Sequence, residues 1–446
     1  MELVLYEWGS LLLRWIHVIT GIAWIGASFY FMHLDASLRA TPAIPPGKGG
    51  EAWEVHGGGF YQVRKYLLAP DFLPEELTWH KWQAYSTWLS GFCLLLWVYY
   101  AQSSLLLIDP SVRELSRVGA LFIGLGGLAA GWLVYDFLCK SRLGKSDVAL
   151  ASVGFAFVIF MAWFFQTMFS PRGAFIHTGA LMATMMSANV FFIIIPNQHK
   201  VIAALKAGQV PDPSLGYAAK QRSAHNNYLT LPVLFLMLSN HYPLTYSSPY
   251  AFVVVGLVLV AGALVRVFYN ERHAGRGDKW WTWVVAALLV WGAISISFYS
   301  SPAYRDNFDL GALPASKAES TMAANVPAAV SQVISTRCVM CHNPQPAWQG
   351  IDVPPKGVVL DTPLGIVRNA HEVLVQAGIT RAMPPNNVTE MTAAERKVLR
   401  DWLATQESAS VAPPGGGDVV VRLFGAGAAQ VARGTSSLPG GQLLAR

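Results

Sequence analysis

The sequence predicts an all-α protein: a polytopic membrane bundle of about eight transmembrane helices, followed by a small helical domain. Three observations lead there. Of 446 residues, 53% are hydrophobic and only 13% charged, where soluble domains carry roughly 25% charged residues. The apolar residues fall in long runs free of Asp, Glu, Lys and Arg. After Tyr304 the composition turns to Ala, Ser, Pro and charged residues, so the chain divides into parts suited to different solvents.

The charge-free runs are Trp15–Leu34, Trp82–Ile108, Val118–Tyr135, Val148–Pro171, Gly173–His199, Ser223–Val265 and Trp280–Tyr304. Each is near the length a bilayer core requires, about 20 residues, except Ser223–Val265, which is long enough for two crossings. The segment His241–Tyr250 divides it, because two prolines and small polar residues mark a turn. Eight spans result, over residues 1–304. An N-terminal run without a basic flank or a small-residue cleavage site reads as a retained helix and not a removed signal.

Eight spans put both ends on one side. The loops after spans one, three, five and seven hold most of the loop Lys and Arg, among them Arg64, Lys65, Lys140, Lys145, Lys200 and Arg276, while the opposite loops hold Arg113, Arg117 and Arg172. The positive-inside rule places the first set in the cytoplasm, and the N-terminus and everything after Tyr304 outside, in the periplasm of a bacterial inner membrane. The basic residues are scattered, without the stripe and interleaved aromatics of a nucleic-acid surface, so that class is set aside.

Residues 305–325 read as a linker, 326–406 as the small domain, and 407–446, rich in Gly, Ala and Pro, as a disordered tail. Cys93 and Cys139 lie far apart in apolar contexts. Cys338-Val-Met-Cys341-His342 is different, since two thiols at this spacing can bond the vinyl groups of haem c while His342 reaches the iron. No second cysteine pair exists to complete a zinc site. Met383-Pro-Pro supplies a thioether on a stiff backbone for the sixth ligand, with His371 the competitor; Met ligation would raise the potential of the iron. Thr392-Ala-Ala-Glu395 is a capping box before a final amphipathic helix. The small domain therefore reads as a class I-like cytochrome c.

Ionisable residues at membrane depth point to function, because burying them is costly. His17, His177 and His241 fall near the outer ends of spans, and His33, His80, His199 and His225 near the inner ends. The outer three are candidate ligands of a haem b. Asp136 is either a proton acceptor or an interfacial partner of Lys140 at i+4. Arg222-Ser-Ala-His225-Asn226-Asn227-Tyr228 combines a cation, an imidazole and two amides, able to bind and deprotonate a planar anionic heterocycle, although a solvated helix start is the plainer reading. Gly57-Gly-Gly59 and Gly124-Leu-Gly-Gly127 lack the context of phosphate loops, and the second suits close helix packing.

Trp15-Ile-His17 leading into Gly21-Ile-Ala-Trp-Ile-Gly26, Trp132-Leu-Val-Tyr-Asp136, His225-Asn-Asn-Tyr-Leu-Thr-Leu-Pro232 and Ser239-Asn-His-Tyr-Pro243, together with Cys338–His342 and Met383-Pro-Pro, carry a likeness. The sequence resembles the bacterial membrane-bound urate oxidase family, in which an eight-span domain is fused to a cytochrome c, over nearly the whole chain to about Gln406. The resemblance implies oxidation of urate to 5-hydroxyisourate with water as the oxygen source. Electrons would leave through haem c to an external cytochrome or terminal oxidase, without peroxide. The competing expectation is an electron-transfer subunit, linked to quinol or a partner dehydrogenase.

Overall fold

The computed structural model describes residues 2–44, 49–67, 70, 73–300, 326–351 and 354–408. The expected linker at 305–325 and nearly all of the tail at 407–446 lie outside the described residues, as does the side chain of His371.

Long helices dominate. Helix α1 (Glu2–Ser37) starts well before the charge-free run, since Glu2, Glu7 and Arg14 interrupt the hydropathy but not the helix. Helix α2 (Trp82–Leu94) passes into a π-turn at Leu95–Tyr100 and then a short α3 (Ser103–Leu106), so Trp82–Ile108 is not one continuous span. Next come α4 (Arg117–Lys140), α5 (Asp147–Met168) and α6 (Pro171–Ala188). A second π-turn at Asn189–Ile194 joins α6 to α7 (Ile195–Lys206), making one long helix. Then follow α8 (Pro213–Leu238), a short α9 (Pro243–Tyr246) at the expected turn, α10 (Ala251–His273) and α11 (Trp281–Tyr299).

Caps set the starts. Ser116, Ser146 and Ser170 accept from the backbone N–H three residues on, and Asp212 accepts from Ser214 N; each satisfies a donor that the first turn leaves without a helical partner. Among the described residues, six helices are long and apolar enough to cross a bilayer: Trp8–Ser37, Arg117–Lys140, Asp147–Met168, Pro171–Lys206, Ala251–His273 and Trp281–Tyr299. The other two expected spans, at α2 and α8, are helical but fall short of that measure. The π-turn interrupts the first, and the polar run Lys220–Asn227 dilutes the second.

The all-α expectation needs one amendment. Gly49–His56 (β1) and Gly59–Tyr66 (β2) pair as an antiparallel hairpin after α1. Gly57 and Gly58, with φ of 59° and 80°, make the tight turn, which is what Gly57-Gly-Gly59 does here; consecutive positive φ angles favour glycine and match the strand twist. Alternation in Trp53-Glu-Val-His and Phe60-Tyr-Gln-Val was the available signal.

Beyond the gap at 301–325, α12 (Ala328–Arg337), α13 (Pro363–Arg368), α14 (Ala370–Val373) and α15 (Ala393–Ser408) surround their own core of Val330, Ile334, Leu360, Leu374, Leu399 and Trp402. The capping box is formed: Glu395 N donates to Thr392 Oγ1 at 3.2 Å, and Thr392 N to Glu395 Oε2 at 2.6 Å. The turn Pro385–Asn387 rests on α3, where Asn386 Nδ2 donates to the Ser104 carbonyl at 3.5 Å.

Candidate functional site

The bundle has a basic end, where the loops after α1, α4, α7 and α10 lie, and an opposite end. Polar side chains gather toward each.

In the basic half, the π-turn that begins at Asn189 carries a fully buried amide into the bundle. Its Nδ2 donates to Tyr135 Oη at 3.0 Å and to Asn226 Oδ1 at 2.9 Å, and its Oδ1 accepts from Arg222 Nη1 at 3.1 Å. Arg222, 3% exposed, also donates through Nη2 to Asp136 Oδ1 at 2.8 Å and stacks over Tyr135, 4.9 Å from the ring centroid. Asp136 holds Lys140 as well, at 2.6 Å, so it is both the i+4 partner and the half-buried counter-ion of Arg222. Tyr135 Oη lies 2.7 Å from His225 Nδ1. With Asn189 donating into the phenol oxygen, the phenol hydrogen is directed at the imidazole.

Of the residues the sequence singles out, Asp136, Arg222, His225 and Asn226 thus meet in one network. Asn227 does not join it. One residue on along α8, it turns instead to α10, where its Oδ1 accepts from Arg266 Nε at 2.8 Å and its Nδ2 approaches Asn270 Oδ1 at 3.4 Å. Arg266 and Asn270 escaped sequence reading, as did Asn189. The available signal for Arg266 was a lone cation inside the hydrophobic run of α10.

Toward the opposite end, the histidines take separate places. His177 is fully buried; its Nδ1 donates to the Gly173 carbonyl at 2.8 Å and its Nε2 accepts from Tyr100 Oη at 2.8 Å. Gly124 makes that pair fit, because a Cβ there would lie 1.8 Å from Tyr100 Oη and 2.9 Å from His177 Nε2. Gly124 and Gly127, which faces Phe165, therefore serve close packing. His17 donates from Nδ1 to the Thr87 carbonyl at 3.1 Å and sits against Gly91. His241 is exposed. Among the described residues no hydrogen bond or ring contact joins these three, and no three His, Cys, Asp or Glu side chains gather as a metal site.

Elsewhere His199 stacks on Trp79 and His80 meets Phe31 edge-on, both exposed aromatic contacts. A cavity of about 970 Å³ runs between α8, α10 and α11 past Leu231, Phe235, Val258 and Trp291. It is almost wholly apolar and lies apart from the polar networks, so it suits a lipid chain and not a charged heterocycle.

In the C-terminal segment, Cys338 and Cys341 lie on one turn, where the Cys341 and His342 N–H groups both return to the Cys338 carbonyl. His342 Nδ1 donates to the Val358 carbonyl at 3.0 Å, which fixes the tautomer and leaves Nε2 as a ligand atom. Burial pushes the Cys338 thiol up to about 12, the opposite of the activated thiol of a redox dithiol. Met383 packs against the same core. Its loop is held by Arg396, 5% exposed, whose Nη1 donates to the Ala377 carbonyl at 2.7 Å and the Met383 carbonyl at 2.8 Å, and whose Nη2 donates to Asn387 Oδ1 at 3.0 Å. The donor set Cys338, Cys341, His342 and Met383 fits a covalently attached haem.

No curated protein and no solved structure matches this chain. The family model described as urate oxidase N-terminal matches residues 3–297, from α1 into α11 and including the polar networks of the bundle, and the chain belongs to that family.

Proposed function

We propose that this protein oxidises urate to 5-hydroxyisourate at the basic half of a membrane bundle and passes the electrons to a haem c held by its own C-terminal domain. The observation that carries the reading is the union, in one chain, of the urate oxidase N-terminal region with a Cys-x-x-Cys-His turn whose His342 is already oriented by Val358. Eight segments cross the bilayer, the six long apolar helices together with α8 and with α2 continued by its π-turn, and the N-terminus and the C-terminal domain lie on the periplasmic side of a bacterial inner membrane.

Urate and one water give 5-hydroxyisourate, two protons and two electrons. Cys338, Cys341, His342 and Met383 would hold a haem c, which when bound would supply the one-electron redox chemistry that links urate oxidation to an external cytochrome or terminal oxidase. The chain's own residues bind the heterocycle and handle its protons. Asn226 and Asn227 offer amides to the heterocycle, Arg222 holds Asn189 and Asp136 beside them, and His225 with Tyr135 offers a hydrogen-bonded proton relay. Asp136 keeps Arg222 charged and in place.

The test is the visible spectrum of the purified full chain under anaerobic conditions, before and after urate, with a pyridine haemochrome assay to separate c from b haem. Reduction of haem c by urate alone is the expected result. Reduction by dithionite but not by urate would overturn it in favour of an electron-transfer subunit served by a partner dehydrogenase.

A further inference from the structure

The two buried arginines of the bundle differ in charge balance. Arg222 has Asp136. Arg266 is 6% exposed in the span α10, yet among the described residues it forms no ion pair: its Nε donates to Asn227 Oδ1 at 2.8 Å, its Nη2 to Asn270 Oδ1 at 3.3 Å, and its guanidinium lies 3.9 Å from the centroid of the Phe29 ring. Amides and a ring quadrupole orient a cation but do not neutralise it. A buried ion without a counter-charge costs several kcal/mol, and arginine stays protonated in such places.

The surroundings bring recognition groups together at one place. Arg266, Asn270 and His273 stand at i, i+4 and i+7, one stripe of α10. Facing them are Phe29 and His33 of α1, also at i and i+4. His33 and His273 meet with ring centroids 4.2 Å apart, and His33 Nδ1 is buried with no hydrogen-bond partner. Asn270 Nδ2 reaches Tyr228 Oη at 3.3 Å. A cation lacking its anion thus adjoins an aromatic face and an unpartnered ring nitrogen, where three helices meet.

We infer that the junction of α1, α8 and α10 around Arg266 binds a planar heteroaromatic monoanion, with Arg266 as its counter-ion. This rests on the proposed function in one respect only: there the anion is urate, and Asn226 and Asn227, adjacent on α8, join this junction to the Arg222 network. Arg222, already neutralised, is not the residue that meets the substrate's charge.

The test uses the purified full chain, with anaerobic equilibrium dialysis of labelled urate and the thermal midpoint read against urate and against nitrate, a planar monoanion without a purine ring. Arg266→Gln is expected to weaken urate binding at least about tenfold, the effect of losing one charged hydrogen-bond partner. It abolishes the anion-induced rise in midpoint, and Arg266→Lys restores part of both. Without any anion, Arg266→Met melts no lower than the parent, because it removes an uncompensated charge. Nitrate protection of the parent but not of Arg266→Gln, without urate binding, would keep the anion site while sinking the urate reading. Equal response of the parent and Arg266→Gln to both anions would overturn the inference, as would a lower midpoint of Arg266→Met without anion.

Discussion

Arg222 Nη2 lies 2.8 Å from Asp136 Oδ1, an ion pair between two helices in which the cation is almost wholly buried and the carboxylate 17% exposed. Breaking a buried pair from one side leaves an unbalanced charge, at about 3–5 kcal/mol. Arg222→Met and Asp136→Asn should therefore each lower the thermal midpoint strongly. The double substitution should lose less than the sum of the two. Additive losses in a double-mutant cycle would show that the pair is not coupled.

Gly124 faces Tyr100 and His177 so closely that even a methyl group has no room. Gly124→Ala should destabilise by about 1–3 kcal/mol through overpacking. The companion change Tyr100→Phe, which removes the nearest atom, should recover part of that. A Gly124→Ala protein with the parent's midpoint would contradict the packing described.

Arg396 donates to the Ala377 and Met383 carbonyls and to Asn387 Oδ1, and so ties down both sides of the Met383 turn. Arg396→Met should lower the share of Met-ligated haem and the reduction potential while leaving covalent haem content unchanged. Cys341→Ala should leave one thioether bond, and His342→Ala should abolish the native spectrum. Redox titration and the haemochrome assay read these outcomes; unchanged potential and ligation in Arg396→Met would refute its positioning role.

Glu395 closes the capping box and pairs with Arg337 at 2.9 Å. Burial alone would raise its carboxyl, but the Thr392 backbone and Arg337 outweigh that and hold it below 4.5. A depressed carboxyl stabilises the fold above its unfolded value, and that contribution is lost as pH falls below about 4.5. Glu395→Ala should cost about 1 kcal/mol at neutral pH, with the difference from the parent shrinking in acid. Melts of the full chain across pH 3 to 7 measure it, and a gap that widens in acid would contradict the sign.

Orientation is open to a direct check. A reporter active only outside the cytoplasm, fused after Ser408, should be active, and the same reporter in the loop between α4 and α5 should be silent. The reverse pattern would invert the proposed topology.

Hydropathy made the long helices legible because burial in lipid demands continuous apolar runs, and the serine caps and the capping box were legible because their partners are three residues away. The same locality made Cys338, Cys341 and His342 readable as one motif on a single turn. The two π-turns of the bundle escaped, since the extra residue at Leu95–Tyr100 and Asn189–Ile194 leaves no periodic mark; these turns carry Tyr100 and Asn189. The hairpin at 49–66 was hidden in a loop judged mainly by its charge.

By itself, then, the sequence determined which segments are helical and apolar, where charge accumulates, and which residues form the Cys-x-x-Cys-His turn, all properties of neighbours along the chain. Only the tertiary structure decided that adjacent Asn226 and Asn227 serve different partners, that Asp136 belongs to Arg222 as well as Lys140, and that Arg266 has no carboxylate among the described residues. The reason is physical. In a bundle of parallel and antiparallel helices, each pairing joins residues tens or hundreds of positions apart, through rotations about helix axes that hydropathy does not encode.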